Sequence, residues 1–482
     1  MKKICLMLAM LLLAGCVFSA CGEGGGNEGG ETKAPKTEAA PQTDAPAPVE
    51  TGYDGSAVTI RFYHTMGQNL REVLTEYIAE FNKLYPNITV EESQVGGYND
   101  VRDQIKTEIT TGNQPNIAYC YPDHVALYNK AKAVQTLDGI IASTAEVTRA
   151  DGTTEIMGLT DAQKADFIEG YYAEGTAFGD GLMYTMPFSK STEVLYYNKT
   201  FFEKNNLQVP TTWDELYEVC KKIKEIDPKS VPLGYDSESN WFITMCEQYG
   251  SPYTSATGDH YLFNNDQNVK FLEEFNKWYQ EDLVTTQGLY GTYTSGLFVS
   301  TDERKSYMSI GSSAGATHQR PEAVDGVFPF EVGIAPIPQV DPSNPKAISQ
   351  GPSVCIFKKA NEQEVYASWL LVKYLTTSAE FQADFSRASG YIPVIKSVND
   401  DEPFKKFLNG ADGGEYIAAL SVKVGLEMEK AYFVSPAFVG SSTARDQVGQ
   451  VVQKALNMKG DDIAAQIKSA LQDAVDECEY QE

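Results

Sequence analysis

The segment Val58-Thr59-Ile60-Arg61-Phe62-Tyr63-His64 is followed by a run in which Leu70, Val73, Leu74, Tyr77, Ile78, Phe81 and Leu84 recur at three- and four-residue steps, and then by Ile88-Thr89-Val90-Glu91. In the first segment Val58, Ile60 and Phe62 fall on one face of a strand, because successive side chains of a strand point to opposite sides. The second has the spacing of one face of a helix and stops at Pro86. The third resumes strand character. Strand, helix and strand in succession form a βαβ unit, which implies a parallel pair and a right-handed crossover.

The same sorts of segment recur downstream. Strands are predicted at Met183-Tyr184-Thr185-Met186, Val194-Leu195-Tyr196-Tyr197 and Val332-Gly333-Ile334-Ala335. Between them, Thr212 offers an N-cap with Glu215 as its capping-box partner, and Trp213, Leu216, Tyr217, Cys220 and Ile223 form a packing stripe. The chain closes on a second stripe, Ile463, Ile467, Leu471, Ala474, Val475 and Cys478. Strands alternating with helices over this length give an α/β architecture, and no internal repeat is evident. About 425 residues follow Ala57, more than one core usually supports, so two domains are expected.

The N-terminus reads differently. Met1-Lys2-Lys3, an apolar run and Leu13-Ala14-Gly15-Cys16 have the form of a lipoprotein signal over residues 1–21, with Cys16 the preferred lipidation site and Cys21 the second candidate. The run is too short to span a bilayer comfortably. Residues 22–56 are rich in glycine, proline, threonine and acid, and would form a disordered linker reaching on the order of 30 Å. The mature chain is thus expected on the extracellular face of a bacterial cytoplasmic membrane, touching it through lipid alone.

Charge narrows the partners. The formal net charge is -27, and removing Lys2 and Lys3 takes it to -29 (-27 - 2). Nucleic acid and anionic lipid both require clustered Lys or Arg, so neither is an expected partner. Past the signal, Cys120, Cys220, Cys246, Cys355 and Cys478 are scattered, odd in number and without CxxC spacing, which suits small buried hydrophobes better than a metal site or disulfide framework. The open possibility is an isolated pair.

Residues 181–216 carry a resemblance: Leu182-Met183-Tyr184-Thr185-Met186-Pro187-Phe188, Ser191-Thr192, Leu195-Tyr196-Tyr197-Asn198-Lys199 and Pro210-Thr211-Thr212-Trp213-Asp214-Glu215-Leu216. With Ser389-Gly390-Tyr391-Ile392-Pro393-Val394 and other segments in order, the chain resembles the family 1 extracellular solute-binding proteins of ABC importers. The resemblance implies a two-lobed, type II periplasmic-binding-protein-like fold whose discontinuous lobes are joined by hinge strands near 187–191, 350–355 and 388–391. Lobe 1 would take 57–188 and 354–388, lobe 2 189–353 and 389–482. It also implies a monomeric receptor without cofactor or metal, delivering a small ligand to permease subunits served by a separate ATPase.

Within the family the chain is most similar to binders of glycerol phosphate, glycerophosphodiesters and oligosaccharides. Matched by position, ligand contacts fall on Tyr98, Ser191, Ser313, Gly351 and Tyr391, with Asp123 the best match for an acidic residue. The glycerol-phosphate branch has an arginine near the C-terminal segment; Pro436-Ala437-Phe438-Val439-Gly440 has none, and Arg445 lies farther on. Without that bidentate partner, a carbohydrate is favoured and a glycerol phosphate or phosphodiester is the alternative. Sugar sites need flat apolar faces and planar polar groups. Trp241, in the polar run Ser237-Glu238-Ser239-Asn240-Trp241, is therefore a further candidate, as a stacking platform.

Enzymes are the rival class. Gly311-Ser312-Ser313-Ala314-Gly315 fits the G-x-S-x-G pattern, yet His318 follows five residues after the serine with no acid between. The glycines are read instead as permitting close backbone approach. A secreted glycosidase, needing two carboxylates across a cleft, has no local pattern in its favour. The expectation is binding without chemistry.

Overall fold

The computed structural model describes residues 46–410 and 416–481. The lipidation candidates Cys16 and Cys21, the signal and most of the tether lie outside the described residues.

The strands that frame the molecule are, in chain order, β1 (Val58–His64), β2 (Ile88–Gln94), β3 (Ile117–Cys120), β4 (Thr185–Pro187), β5 (Glu193–Asn198), β6 (Leu233–Tyr235), β7 (Val284–Thr286), β8 (Met308–Ser312), β9 (Val332–Pro336) and β10 (Ser353–Ile356). They form two five-stranded sheets, ordered β2-β1-β3-β10-β4 and β9-β5-β8-β6-β7. β1 and β2 are parallel, with Val58 beside Ile88 and His64 beside Gln94, as the βαβ reading requires. Each sheet holds one strand that runs against its neighbours: β10 against β3 and β4, and β5 against β8 and β9. Each is the first strand formed after the chain passes from one sheet to the other, so it enters its sheet from the opposite end. The result is a two-lobed α/β molecule.

Each sheet has its own core. Ile60, Phe62, Leu74 and Phe81 of the βαβ unit are buried in the first. Leu195, Leu216, Phe275 and Trp278 are buried in the second. The helix Trp213–Ile226 begins as its residues dictate: Thr212 Oγ1 accepts the Glu215 N–H at 3.2 Å, and the Glu215 carboxylate accepts the Thr212 N–H at 3.3 Å. The five cysteines after the signal are buried thiols.

Two boundaries differ from the sequence reading. The last part of the assigned linker is docked on the first lobe: the Val49 N–H bonds the Gly139 carbonyl at 2.9 Å, and Tyr53 is buried. Ile392, Val394, Phe404 and Phe407, assigned to the second lobe, lie in the first core. These apolar side chains lie close in sequence to the crossing at 388–391, and the apolar surface nearest to them is that of the first lobe.

The crossings themselves are hydrogen-bonded side by side. The Lys190 N–H bonds the Ile392 carbonyl at 3.0 Å and the Ser191 N–H bonds the Gln350 carbonyl at 2.9 Å, with both bonds returned. Lys190 is fully buried, and its Nζ donates to Glu174 Oε1 at 2.6 Å and to Ser353 Oγ at 3.1 Å. Gly351 has φ +88°, and a Cβ there would stand 2.5 Å from the Ser189 carbonyl oxygen and 2.8 Å from the Lys190 Cα. Gly351→Ala is therefore expected to cost about 1–3 kcal/mol, since a left-handed conformation and a backbone clash coincide. A urea denaturation midpoint checks it.

Candidate functional site

Three structural layers converge at the carboxyl end of β3, where open α/β sheets place ligands. The first lobe supplies Tyr121 and Asp123, at the start of the helix Pro122–Asn129. The second supplies Ile243 and Tyr253, and Arg445 from the first turns of the helix Ser441–Asn457. Ser349 and Gln350 enter from a crossing segment. Together with Ser435 they surround a cavity of about 80 Å³.

The polar groups there are not used up by the fold. Tyr253 Oη and Ser349 Oγ are buried without a hydrogen-bond partner. Such atoms cost about 1–3 kcal/mol each unless something bonds them. Asp123 and Arg445 bring one carboxylate and one guanidinium to the same cavity. Burial pushes the hydroxyls of Tyr98, Tyr121 and Tyr391 above their ordinary range, so they stay neutral donors. Burial also lowers the pKa of His124, behind Asp123, and keeps its ring uncharged.

The expected residues divide into three groups. Asp123 lines the cavity. Tyr98 and Tyr391 stand beside it: their hydroxyls are 3.2 Å apart, and the Tyr98 ring lies 4.6 Å from that of Tyr121 at an interplanar angle of 36°. Ser191 and Gly351 flank Gln350 in the crossing, and both are buried in it. Ser313 is also buried; its Oγ accepts the Thr192 N–H at 3.1 Å and its carbonyl accepts the Ser421 hydroxyl at 2.8 Å. Those bonds fix Ser313 as a brace, and His318 of the G-x-S-x-G reading is exposed.

Trp241 is a correction. It is fully buried, stacked 4.8 Å from Tyr235 and 3.8 Å from Phe275, and so offers no face to a ligand. The polar residues ahead of it are the first turn of the helix Glu238–Tyr249, capped by Ser237, and Trp241 is buried together with Glu238 and Asn240 of that turn. Arg445 is the opposite case. Its separation from residues 436–440 counted against it in sequence, yet the helix carries it back to the cavity.

The lobes also touch outside the cavity. Arg102, on the helix Tyr98–Ile109, donates through Nη1 to Ser442 Oγ at 3.1 Å and lies 3.9 Å from Asp446 Oδ2.

The sequence profile of the bacterial extracellular solute-binding proteins matches residues 76–408. The chain belongs to this family. Among curated relatives, this solute-binding protein is 25% identical to the sn-glycerol-3-phosphate-binding periplasmic protein UgpB of Escherichia coli K12 over 379 residues, covering 74% of this chain and 80% of UgpB. Among solved structures, UgpB of Mycobacterium tuberculosis in complex with glycerophosphocholine superposes with a TM-score of 0.68 at 16% identity, over 88% of this chain and 99% of that one. Lmo0181 of Listeria monocytogenes in complex with cycloalternan gives 0.68 at 17% identity, with the same coverages. These likenesses establish the type II binding-protein fold. No helix among the described residues is long and apolar enough to cross a membrane.

Proposed function

We propose that this solute-binding protein captures a mono- or oligosaccharide between its lobes and presents it, chemically unaltered, to the permease of an ABC importer. A lipid on Cys16 or Cys21 would hold it outside the cell, and the lobes would divide near residues 188 and 354. The observation that carries the ligand reading is the cavity's inventory. Asp123 accepts hydroxyls, Arg445 donates to oxygens, and Tyr253 and Ser349 have buried hydroxyls awaiting partners. A neutral polyol uses all four. An anion gains Arg445 but meets Asp123.

The mechanism is a population shift. A ligand touching Asp123 of one lobe and Arg445 of the other makes both contacts only when the lobes are closed, so it favours closure. The contact of Arg102 with Ser442 supports the closed arrangement from outside the cavity.

The phosphate alternative gains one observation, because Arg445 does reach the cavity. A thermal-shift screen separates the readings, since a ligand held only by the folded form stabilises by about 2.7 kcal/mol at a hundred times its Kd. Maltose-type oligosaccharides are expected to raise the melting temperature by a few degrees, and glycerol 3-phosphate and glycerophosphocholine less. The reverse order would replace the carbohydrate reading. Recovery of cleaved sugar from the complex would replace binding with glycoside hydrolysis.

A further inference from the structure

The second sheet carries a cavity that the ligand reading does not use. β8 and β9 run against β5, so the last residues of β5 meet the first of its neighbours: Asn198 stands opposite Val332, and Tyr197 opposite Met308. At that end of the sheet lies a cavity of about 290 Å³. Ser191, bonded to Gln350 in the crossing, stands just ahead of the other end of β5, roughly 20 Å away at about 3.3 Å per residue. The cavity wall comes from residues 198–204, 298–307 and 329–330, all of them around the second sheet, so the first lobe contributes nothing to it.

Two kinds of surface line it. Phe201, Phe298 and Phe330 give aromatic walls, and the Phe201 ring is stacked 3.8 Å from that of Tyr307. The polar groups offer hydrogens. Lys204, at the end of the helix Lys199–Lys204, and Lys305, ahead of β8, both belong to the wall, and no Asp or Glu does. Asn198 turns its oxygen to the Phe201 N–H at 2.8 Å, so the group it has left is its NH2. Ser306, 1% exposed, has a hydroxyl without a hydrogen-bond partner among the described residues.

Acids close to the cavity are engaged elsewhere. Glu331 is held by Lys199 at 3.0 Å, Glu303 by Lys229 at 2.7 Å, and Asp227 accepts the Tyr307 hydroxyl at 3.0 Å. Lys204 and Lys305 have no ion-pair partner among the described residues, so their charge is left over in a chain whose net charge is -27. We propose that this pole of the second sheet is a separate binding site for a small organic anion, a carboxylate or phosphate ester carried on an aromatic or other apolar body. The two ammonium groups take the oxyanion, and the body lies against Phe298 and Phe330. An apolar cavity of about 150 Å³ accepts a benzene ring, so one of about 290 Å³ has room for a ring and its charged group. A neutral sugar brings no charge to the lysines, and inorganic phosphate leaves the aromatic walls wet. The site takes no residue from the cavity between the lobes and does not rest on the function proposed above.

Lysine acetylation of the full chain by acetic anhydride, read by peptide mass spectrometry, reports on the site directly. With phenyl phosphate or phenylacetate present at up to about 10 mM, a range that covers weak small-ligand affinities, Lys204 and Lys305 are expected to be labelled several-fold less, relative to the other lysines of the same sample. Phenyl β-glucoside has the ring without the charge and inorganic phosphate the charge without the ring, so each should protect far less. Arg445→Ala, which removes the cation of the cavity between the lobes, should keep the protection. In that background, replacing both lysines (Lys204→Ala with Lys305→Ala) should weaken phenyl phosphate binding, followed by saturation-transfer NMR, by about tenfold or more. The melting temperature should stay the same, since Lys204 is exposed and Lys305 half-buried. Labelling of the two lysines that neither organic anion changes would overturn the proposal. So would protection by inorganic phosphate equal to that by phenyl phosphate, or protection lost in Arg445→Ala, which would put the anion between the lobes. None of these outcomes bears on maltotriose capture.

Discussion

Arg445→Ala is expected to weaken solute capture by roughly 30-fold to more than 1,000-fold in calorimetric titration, with little change in the melting temperature of the empty protein. Truncating a charged donor that lobe closure buries against the ligand costs about 2–5 kcal/mol in binding, and every 1.4 kcal/mol is tenfold. The fold itself loses little, because Arg445 is only half-buried and, among the described residues, its side chain is anchored by a hydrogen bond to Asn240. Asp123→Asn provides the counterpart. It preserves shape while removing the carboxylate that would accept two hydroxyls, so a neutral sugar should bind about tenfold more weakly. The same change removes the like charge facing an anion, so glycerol 3-phosphate should bind more tightly. Affinity in Arg445→Ala within twofold of the wild type would show that ligand sits elsewhere than in the cavity at the end of β3.

Lys190→Met is expected to lower unfolding stability by about 3–5 kcal/mol, the cost of stranding one partner of a buried ion pair. The Lys190 side chain is 0% exposed and that of Glu174 is 3%, with Nζ and Oε1 2.6 Å apart. Ser353 donates to the same carboxylate oxygen at 3.0 Å and would remain, but one hydroxyl cannot compensate a buried charge. Neutralising the abandoned partner should restore much of the loss, so Lys190→Met with Glu174→Gln should denature in urea well above the single variant. A single-variant loss below about 1 kcal/mol would mean that water reaches the pair. The placement gives the pair its importance: Lys190 belongs to one crossing, and Gly351 and Ser353 belong to the next.

What the sequence discloses and what it conceals follow from element length and solvent contact. The unit spanning residues 58–94 is legible because its strand and helix are long enough for periodicity to show, and because one face of the helix Gln68–Leu84 meets water. The helix Trp213–Ile226 is legible through its cap as much as its stripe. β6 and β7 are three residues each, too short for any alternation. β10 reads Ser353-Val354-Cys355-Ile356 and is buried at every position, so it has no polar face to alternate with.

Less of the candidate site was legible. Asp123, Tyr98 and Tyr391 are suggested by likeness and do gather at the cavity or beside it. Tyr253, Ser349 and Arg445 come from three separate parts of the chain, and nothing local joins them. Trp241 shows the converse failure, since the polar run ahead of it suggests a stacking platform and instead forms the opening turn of a helix. The signal that could have corrected it is Ser237, an N-cap residue placed just before that turn.

The place of β10 between β3 and β4 has a consequence for biogenesis. Cys120 and Ser353, which touch in the finished sheet, are 233 residues apart. At the pace of translation, about 5–20 residues per second, roughly 10–50 s separate the synthesis of these neighbours. During that interval β4 has no strand to pair with, and the hydrophobic surface meant for β10 stays open. Such distant closure is slow by its topology. A nascent chain that cannot finish its first lobe early remains threadable, which suits a family whose members are extracellular or periplasmic.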